Sequence, residues 1–213
     1  NPDLADALAL IANEGSAAIL TCALADAIVE AMEAGDGYLS RADLAAHRTA
    51  TVVPDFVDFA GHQMWQMPAP TQGPAVLAAL RDIPSRDIRS GGEIDWNAVY
   101  HAVAAGMAEA GFDPALVGAP APRPAKGDTT FIAVVDHGGN GASLITSVFG
   151  DFGSHLGVKA LGGPIHNRAT TFRMASKPLE PGKPPHTTIP GLITRADGTL
   201  RFVVGVAGGV MQP

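Results

Sequence analysis

The chain has 213 residues, of which 46% are hydrophobic and only 16% are charged, a balance typical of a folded globular protein rather than a disordered one. Its net charge of −7 argues against nucleic-acid binding, which needs a clustered basic surface. No apolar run approaches the roughly 20 residues of a membrane span, and the single cysteine excludes a disulfide framework and a cysteine-based zinc site.

The first part of the chain is predicted to be mostly helical, because apolar side chains recur at helical spacing. The helical segments span residues 3–13, 17–34, 74–81 and 95–110. Ser40 is expected to begin another short helix, with Asp43 as its capping-box partner. Strands are predicted only within residues 51–67 of this part.

A linker separates this part from the rest. Residues 113–128 are rich in Pro and Ala without a helical or strand period, and we expect them to be exposed. A β-strand begins directly after Asp128 with two hydroxyl residues, Thr129 and Thr130. We therefore divide the chain into three segments. They are residues 1–112, 113–128 and 129–213.

A threonine at such a junction suits one particular chemistry. If the Asp128–Thr129 bond were cut, Thr129 would carry a free α-amine, with a pKa of about 7.7–8.0, beside its own hydroxyl. That amine is partly neutral near pH 7 and can act as the base for Oγ. The chain could make the cut itself, by attack of Thr129 Oγ on the Asp128 carbonyl. The alternative is an ordinary strand start, since Thr favours strands and Gly-Asp favours the turn before them.

The next residues predict a β-hairpin around a glycine-rich turn. Its strands cover residues 130–136 and 142–149. The expected register places Asp136 opposite Ala142. Thr129 then lies across from Phe149, and Ser147 is the diagonal neighbour of Thr129 on the same face. The Ser147 hydroxyl would orient the Thr129 nucleophile, whereas a slip of one residue would move it to the other face.

Further candidates lie downstream. Arg168 is a plausible fork for a carboxylate, or else an ordinary surface arginine. Strands are predicted over residues 188–194 and 200–206. Gly208 and Gly209 follow the second of them, and their backbone N–H groups could approach a reacting oxygen as an oxyanion hole requires. A tight turn explains the same pair of glycines.

Several motifs, in this order, resemble the γ-glutamyltranspeptidase family, and the resemblance covers nearly the whole chain. The motifs are Gly127-Asp128-Thr129-Thr130, Val134-Val135-Asp136, Phe152-Gly153-Ser154, Asn167-Arg168, Pro181-Gly182-Lys183-Pro184, His186-Thr187, Pro190 and Gly208-Gly209. The resemblance implies an α+β fold, namely the αββα sandwich of N-terminal-nucleophile hydrolases, which we expect to be incomplete here at both ends.

The resemblance also implies a zymogen, made as one chain and self-cleaved before its nucleophilic threonine. Residues 1–112 would then be the C-terminal part of the large-subunit region, and residues 129–213 the start of the small subunit. Thr129 would be the nucleophile, supported by the Ser147 hydroxyl, with Gly208 and Gly209 as the oxyanion hole. The implied substrate contacts are Asn167, Arg168, His186 and Thr187.

Two positions depart from the transpeptidase pattern. Thr171 stands where transpeptidases have an acid that grips the α-amino group of a γ-glutamyl substrate, and Phe149 replaces an asparagine of the same pocket. Three other motifs are similar to the amidohydrolase and acylase branch of the family. They are Asn167-Arg168, His186-Thr187 and Gly209-Val210-Met211-Gln212-Pro213. The resemblance thus favours amide hydrolysis over γ-glutamyl specificity.

We therefore expect a threonine hydrolase, self-cleaved at Asp128–Thr129, that hydrolyses a small amide or transfers its acyl group through an acyl–Thr129 intermediate. No cofactor or metal is required, and the two cleavage products are expected to form a heterodimer. One alternative is a true glutathione hydrolase or transpeptidase of glutathione metabolism. The other is an uncleaved, catalytically inactive family member that acts as a binding or structural module. The chain starts at Asn1 and stops after a Gly-Gly turn, so we expect a piece of a longer protein, compatible with cytoplasm or periplasm.

Overall fold

The computed structural model describes residues 1–85, 88–90, 92–114, 129–174 and 183–206. The chain divides into two compact units. The first unit comprises Asn1–Thr51 with Val148–Asn167, and the second comprises Val52–Ser147 with Arg168–Pro213. The second unit thus takes residues from both sides of position 128, where the subunit boundary is predicted.

The described residues form helices and antiparallel strands, which confirms the expected α+β class. The helices are α1 (Pro2–Glu14), α2 (Ala17–Leu20), α3 (Ala23–Ala34), α4 (Arg41–Ala46), α5 (Gly73–Asp82) and α6 (Trp96–Glu109). The strands are β1 (Asp55–Phe59), β2 (His62–Gln66), β3 (Arg89–Ser90), β4 (Glu93–Ile94), β5 (Thr129–Val135), β6 (Gly141–Ser147), β7 (Gly157–Val158), β8 (Gly163–Pro164), β9 (Gly191–Arg195) and β10 (Leu200–Val204). Short 3-10 helices cover Ile83–Ser85, Lys159–Leu161 and Arg168–Met174.

The first unit packs α1–α4 with the short hairpin β7–β8. Ile28 and Met32 of α3 form a buried cluster with Val158 of β7, because α3 places its apolar residues on one face. No single helix among the described residues is long and apolar enough to cross a membrane. Only α1 and the segment Ala17–Ala34 together, as a pair bent by 113°, have the length and composition for it.

The single helix predicted over residues 17–34 is wrong, because the chain leaves the helix at Thr21 and Cys22. The carbonyls of these two residues turn to the guanidinium of Arg41, whose Nη2 donates to Thr21 at 2.5 Å and Nη1 to Cys22 at 3.1 Å. Arg41 also pairs with Asp26 at 3.1 Å. Arg41 thus replaces the helical partner of the Thr21 carbonyl, because the Ala25 N–H that a continuous helix would bring to Thr21 donates to Cys22 instead.

The second unit is built on a four-stranded antiparallel sheet with the order β1-β2-β9-β10. One face of this sheet packs against α5. A side chain at Gly73, which begins α5, would contact Cβ of Gln66 in β2. Helix α6 packs beside α5 through Gly106, where an added Cβ would meet the backbone of Ala75. Leu77 and Met107 are therefore fully enclosed between helices and sheet.

The β5–β6 hairpin covers the opposite face of the same sheet. Gly141 of β6 lies so close to β10 that an added Cβ would come within 2.5 Å of Leu200 and 3.2 Å of Val203. Val203 is in register with Leu192 and Trp65 across the sheet, and these side chains point to the hairpin side. The neighbouring residue in β2, Gln66, points to the other side, which faces α5. Helices, sheet and hairpin thus stack as successive layers, as the expected αββα sandwich requires.

Candidate active site

The start of β5 brings two hydroxyl groups together. Thr129 pairs directly with Ser147 across the β5–β6 ladder, and their Oγ atoms lie 2.8 Å apart, within hydrogen-bonding distance. Both residues are half-buried. The prediction that Ser147 shares a face with Thr129 is confirmed, and the contact is closer than the diagonal one that was expected.

The predicted hairpin register is wrong by two residues. Val135, not Asp136, is the last residue of β5 in the ladder, and it pairs with Gly141. Asp136 and Asn140 instead close the turn: the Asp136 carboxylate accepts hydrogen bonds from the backbone N–H (2.9 Å) and the side-chain amide (2.8 Å) of Asn140. These bonds lower the pKa of Asp136. Because side chains alternate with a period of two, an error of two residues leaves Ser147 on the predicted face.

The hairpin face that carries Thr129 is the one packed on the sheet. Half-buried positions alternate with exposed ones along β6 and over the first residues of β5, and Phe131 and Ser143 lie on the same face as Thr129. The Phe131 ring lies against Gly205, just beyond β10, where an added Cβ would come within 2.5 Å of it. The end of β10 therefore lies beside the Phe131–Ile145 pair, which is the next pair on this face after Thr129 and Ser147. The predicted site residues Asp128, Gly208 and Gly209 lie outside the described residues.

Arg168 is not a surface side chain, so that alternative is wrong. Only 6% of Arg168 is exposed, and its Nη1 donates to the hydroxyl of Thr187, itself buried, at 3.1 Å. Burial lowers the pKa of the guanidinium, because the charged form loses hydration. Two of the predicted substrate contacts, Arg168 and Thr187, are thus in direct contact with each other.

Thr171 lies in the same network and is completely enclosed. Its Oγ1 is 2.7 Å from the carbonyl oxygens of both Arg168 and Pro185, so its hydroxyl ties the 3-10 helix to the segment before β9. An acidic side chain at this position would face two carbonyl oxygens instead of a donor. Thr171 therefore has a structural role in this protein, since its hydroxyl links two backbone segments.

The remaining two predicted substrate contacts are held by other bonds. The backbone N–H of His186 donates to the Pro70 carbonyl at 2.7 Å, and His186 forms an isolated parallel bridge with Thr71. Asn167 belongs to the first unit, where its Oδ1 accepts a hydrogen bond from the Gly150 N–H at 2.9 Å. Phe149 of the first unit has a backbone φ of 76°, which is unusual for a bulky residue.

A cavity of about 350 Å³ opens in the second unit beside the hairpin. Its lining includes Trp65, Ser143, Pro190 and Leu192, and none of the described residues that line it is charged. The indole N–H of Trp65 is already bonded to the Thr194 hydroxyl at 3.0 Å. The cavity could therefore hold an uncharged, mostly apolar group. Among the described residues, no group of three or more His, Cys, Asp or Glu side chains is placed to hold a metal ion.

The sequence profile of the family described as gamma-glutamyltranspeptidase matches residues 1–120 and 94–213, which together cover the chain. The chain belongs to the gamma-glutamyltranspeptidase family. The family predicted from the motifs around Thr129 is therefore confirmed.

Relatives within this family have names of several kinds. The chain is 27% identical over 248 residues to the glutathione hydrolase-like YwrD proenzyme of Bacillus subtilis (strain 168), covering 99% of the chain and 46% of that protein. It is also 27% identical over 246 residues to the oxamate amidohydrolase proenzyme of Klebsiella pneumoniae, covering 100% of the chain and 46% of the relative. The chain thus spans just under half the length of these relatives.

Solved structures confirm the fold. The chain resembles the crystal structure of cephalosporin acylase from Bacillus halodurans with a TM-score of 0.74 and 26% identity, over 99% of this chain and 44% of that one. This similarity extends over both units and agrees with the layered arrangement of helices, sheet and hairpin in the second unit.

Proposed function

We propose that the full-length protein is an amide hydrolase that cleaves itself between Asp128 and Thr129 and then uses Thr129 as its nucleophile. The observation that carries this proposal is the 2.8 Å contact between the Thr129 and Ser147 hydroxyls at the first residue of β5. A nucleophilic hydroxyl needs a neighbour that fixes its direction and accepts or relays its proton. Ser147 supplies the neighbour, and the new α-amine supplies the base.

Self-cleavage needs only groups of this chain and one water molecule. Thr129 Oγ attacks the Asp128 carbonyl carbon, the C–N bond breaks, and the Thr129 nitrogen takes up the hydroxyl proton and becomes a free amine. Water then hydrolyses the ester, which leaves a new α-carboxylate at Asp128 and restores the Thr129 hydroxyl. The freed amine, with an ordinary pKa of about 7.7–8.0, is partly neutral at pH 7.

Substrate hydrolysis repeats the same chemistry on an external amide. The Thr129 amine accepts the Oγ proton as Oγ attacks the carbonyl, the proton passes to the leaving amine, and the acyl–Thr129 ester is hydrolysed by water. Acyl transfer to an amine is the other outcome of the same ester. An oxyanion forms in both steps, and backbone N–H groups stabilise it most directly.

Gly208 and Gly209 are the proposed donors to this oxyanion. The support is positional: Gly205 lies against Phe131, two residues after Thr129 on the same face of β5. Gly208 and Gly209 follow Gly205 by three and four residues in the sequence. A glycine backbone N–H can approach a reacting oxygen closely, because no side chain stands in the way.

The two cleavage products are proposed to stay together as a heterodimer. Strand β2 precedes the proposed cut and β9 follows it, yet they pair over their full length at the centre of the sheet, from His62 with Arg195 to Gln66 with Gly191. Cutting the linker removes none of these ladder bonds. Separation would expose the buried strand edges and the sheet faces under α5 and the hairpin.

The substrate is proposed to be a small amide other than a γ-glutamyl compound. Support comes from Thr171, which is enclosed and bonded to backbone carbonyls and so offers no charge to an α-amino group. Arg168, whose carbonyl accepts from the Thr171 hydroxyl, donates through its guanidinium to Thr187. We include Arg168, Thr187, Asn167 and His186 among the proposed substrate contacts.

Glutathione hydrolysis is the second candidate, because one of the relatives is named a glutathione hydrolase-like proenzyme. Turnover of a γ-glutamyl anilide, compared with that of a simple acyl anilide, separates the two candidates. Preference for the simple acyl anilide supports the first candidate, and preference for the γ-glutamyl compound supports the second.

The proposed nucleophile is tested in the full-length natural reading frame that contains this chain. Thr129→Ala removes the hydroxyl, so we expect one uncut chain by intact mass and no amide turnover. Thr129→Ser is the matched control, since it keeps both the hydroxyl and, after cleavage, the α-amine. Cleavage or turnover by Thr129→Ala at the wild-type rate would overturn the proposal.

A further inference from the structure

One side chain outside the proposed catalytic groups joins three strands through a single hydroxyl. Ser143 Oγ, on β6, donates to the Val204 carbonyl at 2.8 Å and accepts from the Gly191 N–H at 3.2 Å. Gly191 and Val204 are paired opposite each other at the end of the β9–β10 ladder. The hydroxyl therefore bridges the last residue pair of that ladder and fastens the hairpin to it.

This contact lies on the hairpin face that carries the two site hydroxyls. Ser143, Ile145 and Ser147 alternate along β6 with exposed residues, so they share one face. Ser143 pairs with Ala133, and the next pair on the same face toward Thr129 is Phe131 with Ile145. The bonds of Ser143 thus hold β6 to the sheet four residues before Ser147.

The other contacts between hairpin and sheet that we describe are apolar. Gly141 packs on Leu200, and the Phe131 ring packs on Gly205. Apolar contacts hold two surfaces together without a preferred direction, whereas hydrogen bonds fix distance and angle. The two Ser143 bonds therefore fix a distance and an angle between the hairpin and the paired ends of β9 and β10, which the apolar contacts of Gly141 and Phe131 do not.

We propose that Ser143 is a positioning residue, which holds the Thr129–Ser147 pair at a fixed distance from the end of β10. The inference rests on the proposed function, in which the oxyanion donors come after β10 in the sequence. A displacement of about 1 Å between a nucleophile and the groups around it can cost about 100-fold in rate. Loss of the Ser143 hydroxyl should therefore reduce kcat and leave substrate affinity almost unchanged.

The test compares Ser143→Val with Ser143→Thr in the full-length protein. Val and Thr have nearly the same shape and differ in the hydroxyl, and Ser143 borders the 350 Å³ cavity, which leaves room for the added methyl groups. We expect Ser143→Val to lower kcat for an acyl anilide by about 10- to 100-fold, with KM within about twofold, and Ser143→Thr to restore wild-type kcat. Thr146→Val is the control, because it removes a hydroxyl from the exposed face of the same strand.

Equal kcat for Ser143→Val, Ser143→Thr and wild type would overturn the inference. If Ser143→Val does not fold, Ser143→Ala removes the hydroxyl without added bulk, and wild-type kcat in that variant has the same meaning. Failure of the proposed function looks different, because Thr129→Ala would then keep its turnover. A rise in KM with unchanged kcat would also overturn the inference, since it would place Ser143 in substrate binding.

Discussion

Replacing Ser147 by alanine tests the proposed site most directly. The variant removes the hydroxyl that lies 2.8 Å from Thr129 Oγ1 and leaves the β5–β6 ladder intact, because the ladder is made by the backbone. A neutral hydrogen bond contributes about 0.5–1.5 kcal/mol. If Ser147 orients Thr129 through this bond in the transition state, kcat should fall by about 2- to 13-fold, since 1.4 kcal/mol corresponds to a factor of 10.

The assay measures single-turnover hydrolysis of an acyl anilide by the full-length variant, with the cleaved fraction determined by intact mass. Rates are divided by that fraction, because slower self-cleavage would otherwise be counted twice. Ser147→Thr, which keeps a hydroxyl at the same position, is the control and should retain most of the activity. An unchanged rate in Ser147→Ala would refute the orienting role, and a loss beyond about 1000-fold would indicate a larger part in the chemistry.

Three further predictions concern the second unit. The two cleavage products should co-elute in size-exclusion chromatography and separate only in denaturant, because β2 and β9 pair across the cut; separate elution of native products would contradict the shared sheet. Thr171→Val should lower the free energy of unfolding in urea by about 1–3 kcal/mol, because it leaves two enclosed carbonyls without their donor, and an unchanged midpoint would count against the tie. The pKa of Asp136 is lowered by its bonds to Asn140, so the turn's contribution to stability is complete above the unfolded-state pKa and is lost as pH falls through the folded-state value. The Asn140 amide resonances should therefore titrate below the ordinary aspartate pKa, and a midpoint at or above it would be inconsistent with the turn.

Local chemistry made several elements predictable from the sequence. The capping box of α4 forms as expected, with the Ser40 hydroxyl accepting from the Asp43 N–H and the Asp43 carboxylate accepting from the Ser40 N–H. The helix predicted over residues 95–110 appears as α6, capped by Asp95. These features depend on residues three or four apart, so neighbouring side chains alone decide them.

Features that depend on distant partners could not be predicted. The break at Thr21 is stabilised by Arg41, twenty residues later, and the burial of Arg168 depends on Thr187, nineteen residues later. The hydroxyl of Ser143 meets a carbonyl 61 residues away. The sequence offered one usable signal for the last case, a serine on the inward face of a strand next to the hairpin turn.

The Thr129–Ser147 contact was predictable for a limited reason. The strand period of two made the shared face insensitive to the error of two residues in register. The direct pairing depended on the turn, where Asp136 bonds to Asn140 instead of lying opposite Ala142, so the loop is shifted by one residue along the chain. Gly139 adopts a positive φ of 80° in that loop, which a glycine allows at little cost.

The interleaved order of the central sheet has a consequence for biosynthesis. Its inner strands come from segments more than a hundred residues apart, and one lies on each side of the proposed cut. While the chain is continuous, bringing them together costs only the entropy of closing a loop, which rises slowly with loop length. Two separately made polypeptides would have to meet by diffusion at their cellular concentration, each with one edge of its inner strand unpaired and open to aggregation. Under the proposed self-cleavage, synthesis as a single precursor would therefore let the two inner strands pair before the chain is cut.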